Sequence, residues 1–139
     1  MSDKANVLDA NTRIRAVLGS RVREVIMERA TTVRFFAPEV AYADARKYLP
    51  AFLERRDVPG DVALEVLDGL LAIVHPVDKE LHSGLQQQAL QRIAKRDADD
   101  WPVLASALAL DCPIWTEDAN FFGTGVATWT TDRVALYFS

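Results

Sequence analysis

The ten residues Trp101-Pro-Val-Leu-Ala-Ser-Ala-Leu-Ala-Leu110 carry almost nothing polar. Wound as a helix they are apolar on every side, so the helix needs protein all around it and must be central. Trp101-Pro102 suits a first helical turn, where a missing N–H costs nothing. Acids press against its start, at Asp97, Asp99 and Asp100, and more follow the next apolar strand, at Glu117 and Asp118. In an α/β protein both places lie at the same edge of the sheet, the edge where ligands bind. Either Asp99 or Asp100 can cap the helix, which leaves one acid spare.

The rest of the chain reads as an alternation that can wrap such a helix. Lys4–Leu8 is a short buried strand and residues 12–30 are one or two helices broken near Gly19-Ser20. Thr32–Phe36, β-branched and aromatic, is a second strand. Pro38 opens a helix to about Arg56, and Pro59-Gly-Asp61 is a turn. Val62–Val74 shows a helical apolar stripe, and His75–Val77 is a third strand. Residues 79–95 form a helix with Leu81, Leu85, Ala89 and Ile93 on one face. Pro113–Trp115 and Val126–Thr130 are the last strands, with a turn at Asn120–Gly123 between them. The expected fold is α/β, a three-layer α/β/α sandwich with a central parallel sheet, in one domain over residues 1–139.

Composition narrows the function classes. No apolar run approaches the roughly 20 residues of a membrane span, and the first residues lack a signal-peptide profile, so a cytoplasmic protein is expected. One cysteine, Cys112, excludes an internal disulfide and a thiolate metal cluster. The net charge of −4 argues mildly against nucleic acid, but it is unevenly spread. Residues 1–34 hold seven Lys/Arg and four Asp/Glu, a local excess of positive charge.

Asp9 closes the first strand, Asp100 opens the apolar helix, and Asp118 follows the fourth strand. A fourth acid comes from helical phase. At about 100° per residue, Asp44 falls at the edge of the face made by Ala41, Ala45, Tyr48, Leu49 and Phe52, whereas Glu39 and Glu54 point away. Asp44 is therefore expected to be partly buried. Clustered carboxylates repel and are costly unless a cation holds them. A divalent-metal site follows, and with it a nuclease. His75 and His82 fall away from this edge, His82 in solvent, which disfavours a histidine-driven mechanism. Trp101, Trp115 and Trp129 are expected in packing rather than in base stacking.

Four stretches, in order along nearly the whole chain, resemble the PIN-domain family, which includes the VapC-like toxins of bacterial toxin–antitoxin pairs. They are Val7-Leu-Asp9-Ala-Asn11, Ala37-Pro-Glu-Val-Ala-Tyr-Ala-Asp44, Arg96-Asp-Ala-Asp-Asp100-Trp-Pro-Val-Leu-Ala-Ser-Ala-Leu, and Ile114-Trp-Thr116-Glu-Asp118-Ala-Asn120-Phe-Phe-Gly. The resemblance implies Mg²⁺- or Mn²⁺-dependent cleavage of RNA. It implies Asp9, Asp44, Asp100 and Asp118 as metal-binding, catalytic acids, with Asn11, Thr116 and Asn120 in support. It further implies an RNA substrate, a cognate antitoxin and a homodimer. The chain departs from the family at Asp44, where glutamate is usual and one methylene longer; Asn120 stands where some members have another acid.

Two alternatives remain open. One is a catalytically weakened PIN-like module that acts by binding RNA or protein, favoured by Asp44 and the acidic net charge. The other is a phosphoaspartate receiver domain, which would want paired acids after the first strand and a lysine after the last. Asp9 stands alone and Asp132-Arg133 follows the last strand.

Overall fold

The computed structural model describes residues 4–9, 20–55, 57, 59–70 and 72–139. Asn11 and the stretch 12–19 lie outside them. The elements run β1 (Lys4–Leu8), α1 (Ser20–Glu28), β2 (Val33–Pro38), α2 (Glu39–Glu54), α3 (Gly60–Leu70) and β3 (Val74–Val77). Then come α4 (Lys79–Ser83), α5 (Gln86–Ile93), a 3-10 turn (Ala98–Asp100), α6 (Trp101–Leu110) and β4 (Ile114–Trp115). A second 3-10 turn (Ala119–Phe121), β5 (Thr128–Trp129) and α7 (Val134–Phe138) complete the chain.

All five strands pair in parallel, in the order β3-β2-β1-β4-β5. The first three strands step outward in one direction and the chain then returns to the other side of β1. The order therefore reverses between β1 and β4, and the crevice at their carboxyl ends is where such sheets take ligands. Successive strand residues point to opposite faces, and the core divides accordingly. Leu8, Phe35 and Trp115 pack with Val22 and Ile26 of α1 and Phe138 of α7. Val7 and Ile114 pack on the other face with Ile93, Leu104 and Phe121. The result is the expected three-layer sandwich. A smaller cluster, Ala45, Leu49, Leu53 and Leu67, joins α2 to α3. Pro102–Ala107 of α6 are buried, as an all-apolar helix requires. Among the described residues no helix is long and apolar enough to cross a membrane.

Three local expectations are corrected. The stripe Val62–Val74 ends as a helix at Leu70, because Val74 pairs with Phe35 and begins β3. Pro38 is the last residue of β2 and the cap of α2, not part of its first turn. The helix expected over 79–95 is two, parted at Gly84-Leu85. The four-residue apolar period runs through this break, so it suggests one continuous face where there are two. Leu81 is 51% exposed, and His82 takes the inward place at 1% exposure. The imidazole lies edge-on to Trp101, centroids 5.4 Å apart. Neither ring nitrogen has a hydrogen-bond partner among the described residues, and burial pulls its pKa down. His82 is thus a neutral packing residue behind the start of α6, not a solvent-exposed one.

Of the tryptophans, Trp115 is fully buried against Phe35 and Phe138, and Trp129 stacks on Tyr137. Trp101, half-buried, packs on His82.

Candidate metal centre at the carboxyl edge of the sheet

A parallel sheet sends every strand's carboxyl end to the same edge. Asp9 leaves β1 there, and Thr116 and Asp118 leave the adjacent β4. The helix α6 runs back along the sheet toward the start of β4, so its own first residue, next to Asp100, also stands at this edge.

Asp9 is 5% exposed. The Thr116 hydroxyl donates to Asp9 Oδ2 and accepts from the backbone N–H of Asp118 at 2.9 Å. One threonine thus ties the ends of two neighbouring strands together. Asp118 in turn accepts from the Asn120 backbone N–H at 2.9 Å, which shapes the 3-10 turn after it. The contact that Asn120 makes to Asp118 runs through its main chain.

Capping around Asp100 differs from expectation. Neither Asp99 nor Asp100 caps a helix through its side chain. Asp97 does the local work, accepting from Asp99 N at 3.1 Å to start the 3-10 turn that feeds α6. Asp99 is exposed, and Asp100 is half-buried. Its Oδ2 is shielded from water and, with the acids ionised, has no partner among the described residues. Burial pushes its pKa to about 7, helped by the charges of Asp97, Asp118 and Asp9, and by hydrogen bonding to Asp118 once Asp100 is protonated. These effects outweigh the start of a helix, which favours an anion. Asp97 is the contributor that the sequence reading did not single out. Its signal was spacing: three residues before Asp100, it is one 3-10 turn away on the same side.

Asp44 is placed differently. It is exposed on α2 rather than partly buried, and it is not among the acids that act on Asp100. The face of α2 that carries Ala41, Ala45 and Leu49 closes fully on its neighbours, so the edge position beside it remains in solvent. Glu39, in the first turn of α2, is exposed as expected. Its charge is felt by His82.

A profile of the PIN domain matches residues 7–139. The chain belongs to the PIN-domain family. No curated protein matches the sequence. Among solved structures, the chain is similar to the crystal structure of VapBC2 from Rickettsia felis bound to a DNA fragment from their promoter. The TM-score is 0.69 at 10% identity, over 91% of this chain and 98% of that one. At that identity the likeness is one of fold, and it fits the parallel sheet and flanking helices described above.

Does the acidic edge of this PIN domain suit a divalent cation? The donors are all oxygens, as Mg²⁺ and Mn²⁺ prefer. Asp100 presents a buried carboxylate oxygen with no donor among the described residues, and three more acids lie near enough to raise its pKa. A cation would relieve the same repulsion that the proton on Asp100 relieves. Among the described residues, no three His, Cys, Asp or Glu side chains are already arranged to hold an ion together. The acids suit the cation by donor chemistry, and an ion would have to draw them together.

The role of α2 gives a first prediction. If Asp44 reaches the ion, Asp44→Asn is expected to weaken Mn²⁺ binding about tenfold, as loss of a supporting carboxylate does. Glu39→Gln is expected to leave it unchanged, and Asp44→Glu to keep or strengthen it. Titration calorimetry with Mn²⁺ checks all three. Loss of binding in Glu39→Gln with none in Asp44→Asn would assign the helix's contribution to its first turn instead.

Proposed function

We propose that this PIN domain is a divalent-metal-dependent ribonuclease, the toxin of a toxin–antitoxin pair, acting in the cytoplasm. The observation that carries the reading is Asp100, whose carboxyl is raised to about 7 by burial first and then by Asp97, Asp118 and Asp9, at the edge where strand order reverses. In this reading Asp9, Asp100 and Asp118 hold Mg²⁺ or Mn²⁺, and Asp44 reaches in from α2. Asn11 and Asn120 supply further polar groups. The ion, when bound, supplies charge that neutralises the scissile phosphate and eases deprotonation of the attacking water. The protein's part is to hold that geometry. Thr116 fixes Asp9 relative to Asp118, and the 3-10 turn fixes Asp118. One carboxylate, Asp9 or Asp118, orients the water for attack. The large apolar layers keep the acid edge on a rigid frame, which is what positioning needs.

The VapC-like resemblance supports an antitoxin partner that covers the site and a homodimer, and the fold likeness to VapBC2 is in keeping with the antitoxin partner. A second reading is favoured by one observation, the exposure of the shortened acid Asp44. It makes the chain a weakened PIN module that binds RNA or protein without efficient cleavage. One assay separates the two. Purified protein is incubated with mixed RNAs in EDTA, in Mg²⁺ and in Mn²⁺. Cleavage with either ion that stops in EDTA is the expected result. Cleavage undiminished in EDTA would end the metal-dependent reading, and RNA binding without cleavage would favour the second.

A further inference from the structure

Helix α5 presents Arg92 and, in the turn that follows it, Arg96, four residues on and therefore on the same side. Both side chains are exposed, yet both turn back onto the loop after β4. Arg92 Nη1 donates to the Thr124 carbonyl at 3.0 Å, and Arg96 Nη1 donates to the Asn120 carbonyl at 3.1 Å. The loop is shaped to receive them. Gly123 and Gly125 have φ of +82° and +90°, a region that favours glycine. A Cβ at Gly123 would lie 3.1 Å from Arg96 Nη2, and one at Gly125 would lie 2.6 Å from Arg92 Nη1. Two guanidinium groups are thus seated in two glycine notches.

Neither arginine forms an ion pair among the described residues, although acids are close in sequence. Each is bonded to a neutral carbonyl through a single Nη1–H, a charge-assisted hydrogen bond rather than an ion pair. The consequence falls on the acid edge. Arg96 is followed at once by Asp97 and then by Asp100. Its guanidinium holds Asn120, whose own N–H holds the Asp118 carboxylate. Two segments that bring separate acids to the site are therefore braced against each other through one side chain.

We propose that Arg96, with Arg92 one turn before it, is a positioning residue: a strut that sets the Asp118 turn against the Asp97–Asp100 turn and so tunes the site's affinity for a divalent cation. This rests on the metal-site reading above.

The test uses the full chain, with Mn²⁺ alone as the probe. Arg96→Met removes the donors, and Gly123→Ala crowds the guanidinium without changing charge, at a φ of +82° that also strains the turn itself. Both are expected to weaken Mn²⁺ binding roughly tenfold by calorimetry, the usual cost of losing an outer supporting contact. Both are also expected to speed amide exchange at Asn120, measured by NMR, by about tenfold. Arg96→Lys keeps the charge and can reach the carbonyl with one donor, so it should recover part of both effects; it also serves if either other variant fails to fold. Wild-type Mn²⁺ affinity and Asn120 exchange in Arg96→Met and Gly123→Ala would overturn the strut while leaving the metal site standing. Absence of Mn²⁺ binding by the wild type would overturn the metal site and the strut with it. If Arg96→Met weakened only RNA binding in EDTA, with Mn²⁺ binding and exchange unchanged, Arg96 would be a direct phosphate contact and the strut would again be overturned.

Discussion

Asp100→Asn is expected to lower RNA cleavage in saturating Mn²⁺ by at least about a hundredfold while the fold survives. A hundredfold is about 2.7 kcal/mol of transition-state stabilisation, within the range that removal of one electrostatic group from an enclosed site produces. Asp100 is the most enclosed of the acids that open α6, and its carboxyl has no capping duty to lose. The variant should therefore melt no lower than wild type in EDTA, because it takes one carboxylate out of a repelling cluster. Asp99→Asn is the matched control. That side chain is exposed one residue away, and surface changes of this kind usually shift stability by less than about 0.5 kcal/mol. Single-turnover cleavage rates and circular dichroism on both variants check the pair. Activity lost in Asp99→Asn and kept in Asp100→Asn would show that the turn presents the other acid.

The second large effect is on stability. The folded Asp100 carboxyl holds its proton to about pH 7, whereas an unfolded aspartate releases it near 4. Between those values the folded state binds more protons than the unfolded one, so stability must fall as pH rises from about 4 to about 7. The stabilisation is fully present below the unfolded value and gone above the folded one. A shift of this size would be worth about 4 kcal/mol if fully expressed. With the carboxyl only partly enclosed, solvent screening brings the expected loss to about 2 kcal/mol. Urea unfolding at pH 5 and pH 8 in EDTA measures it, with Asp100→Asn reporting the other groups' share. Divalent metal should reverse the loss at pH 8. At a hundred times its dissociation constant an ion bound only by the fold adds about 2.7 kcal/mol, close to a 10 °C rise in melting temperature for a chain of this size. Equal melting curves with EDTA and with millimolar Mn²⁺ at pH 8 would argue that no ion binds the native acids.

Much of the layout was readable from residue patterns because burial imposes them. An apolar helix with acids at its start and a two-sided buried strand after it leave few arrangements, and the parallel sheet followed. Convergence of Asp9, Asp100 and Asp118 on one edge was readable for the same reason, since strand ends and helix starts share an edge in this architecture. What failed was finer. The inward place of His82 could not be read, because the period of four through Leu81, Leu85 and Ala89 conceals a change of phase at Gly84. The cap was assigned to Asp99 or Asp100 because both precede the helix; the 3-10 turn before α6 moves the capping role back to Asp97. Asp44 lay at the margin of an apolar face, where ten or twenty degrees decide between contact and solvent. Arg92 and Arg96 gave no signal, because their partners are backbone carbonyls 32 and 24 residues away.

The strands all run the same way, and this separates two tasks along their axes. The opposite rim, where β1 begins, is laced by bonds with no chemical role: Lys4 Nζ reaches the carbonyls of Tyr137 and Ser139 at 2.6 Å each, and the Tyr137 hydroxyl donates to the Ala5 carbonyl at 2.8 Å. One rim fastens the molecule shut, and the other concentrates carboxylates that would rather separate. The cost of gathering those charges falls at one rim, and the bonds that join the chain's two ends stand at the other. For engineering, the division of labour is practical. Substitutions that harden the fastening rim can compensate for costly ones at the acid rim, because stability changes at well-separated sites add.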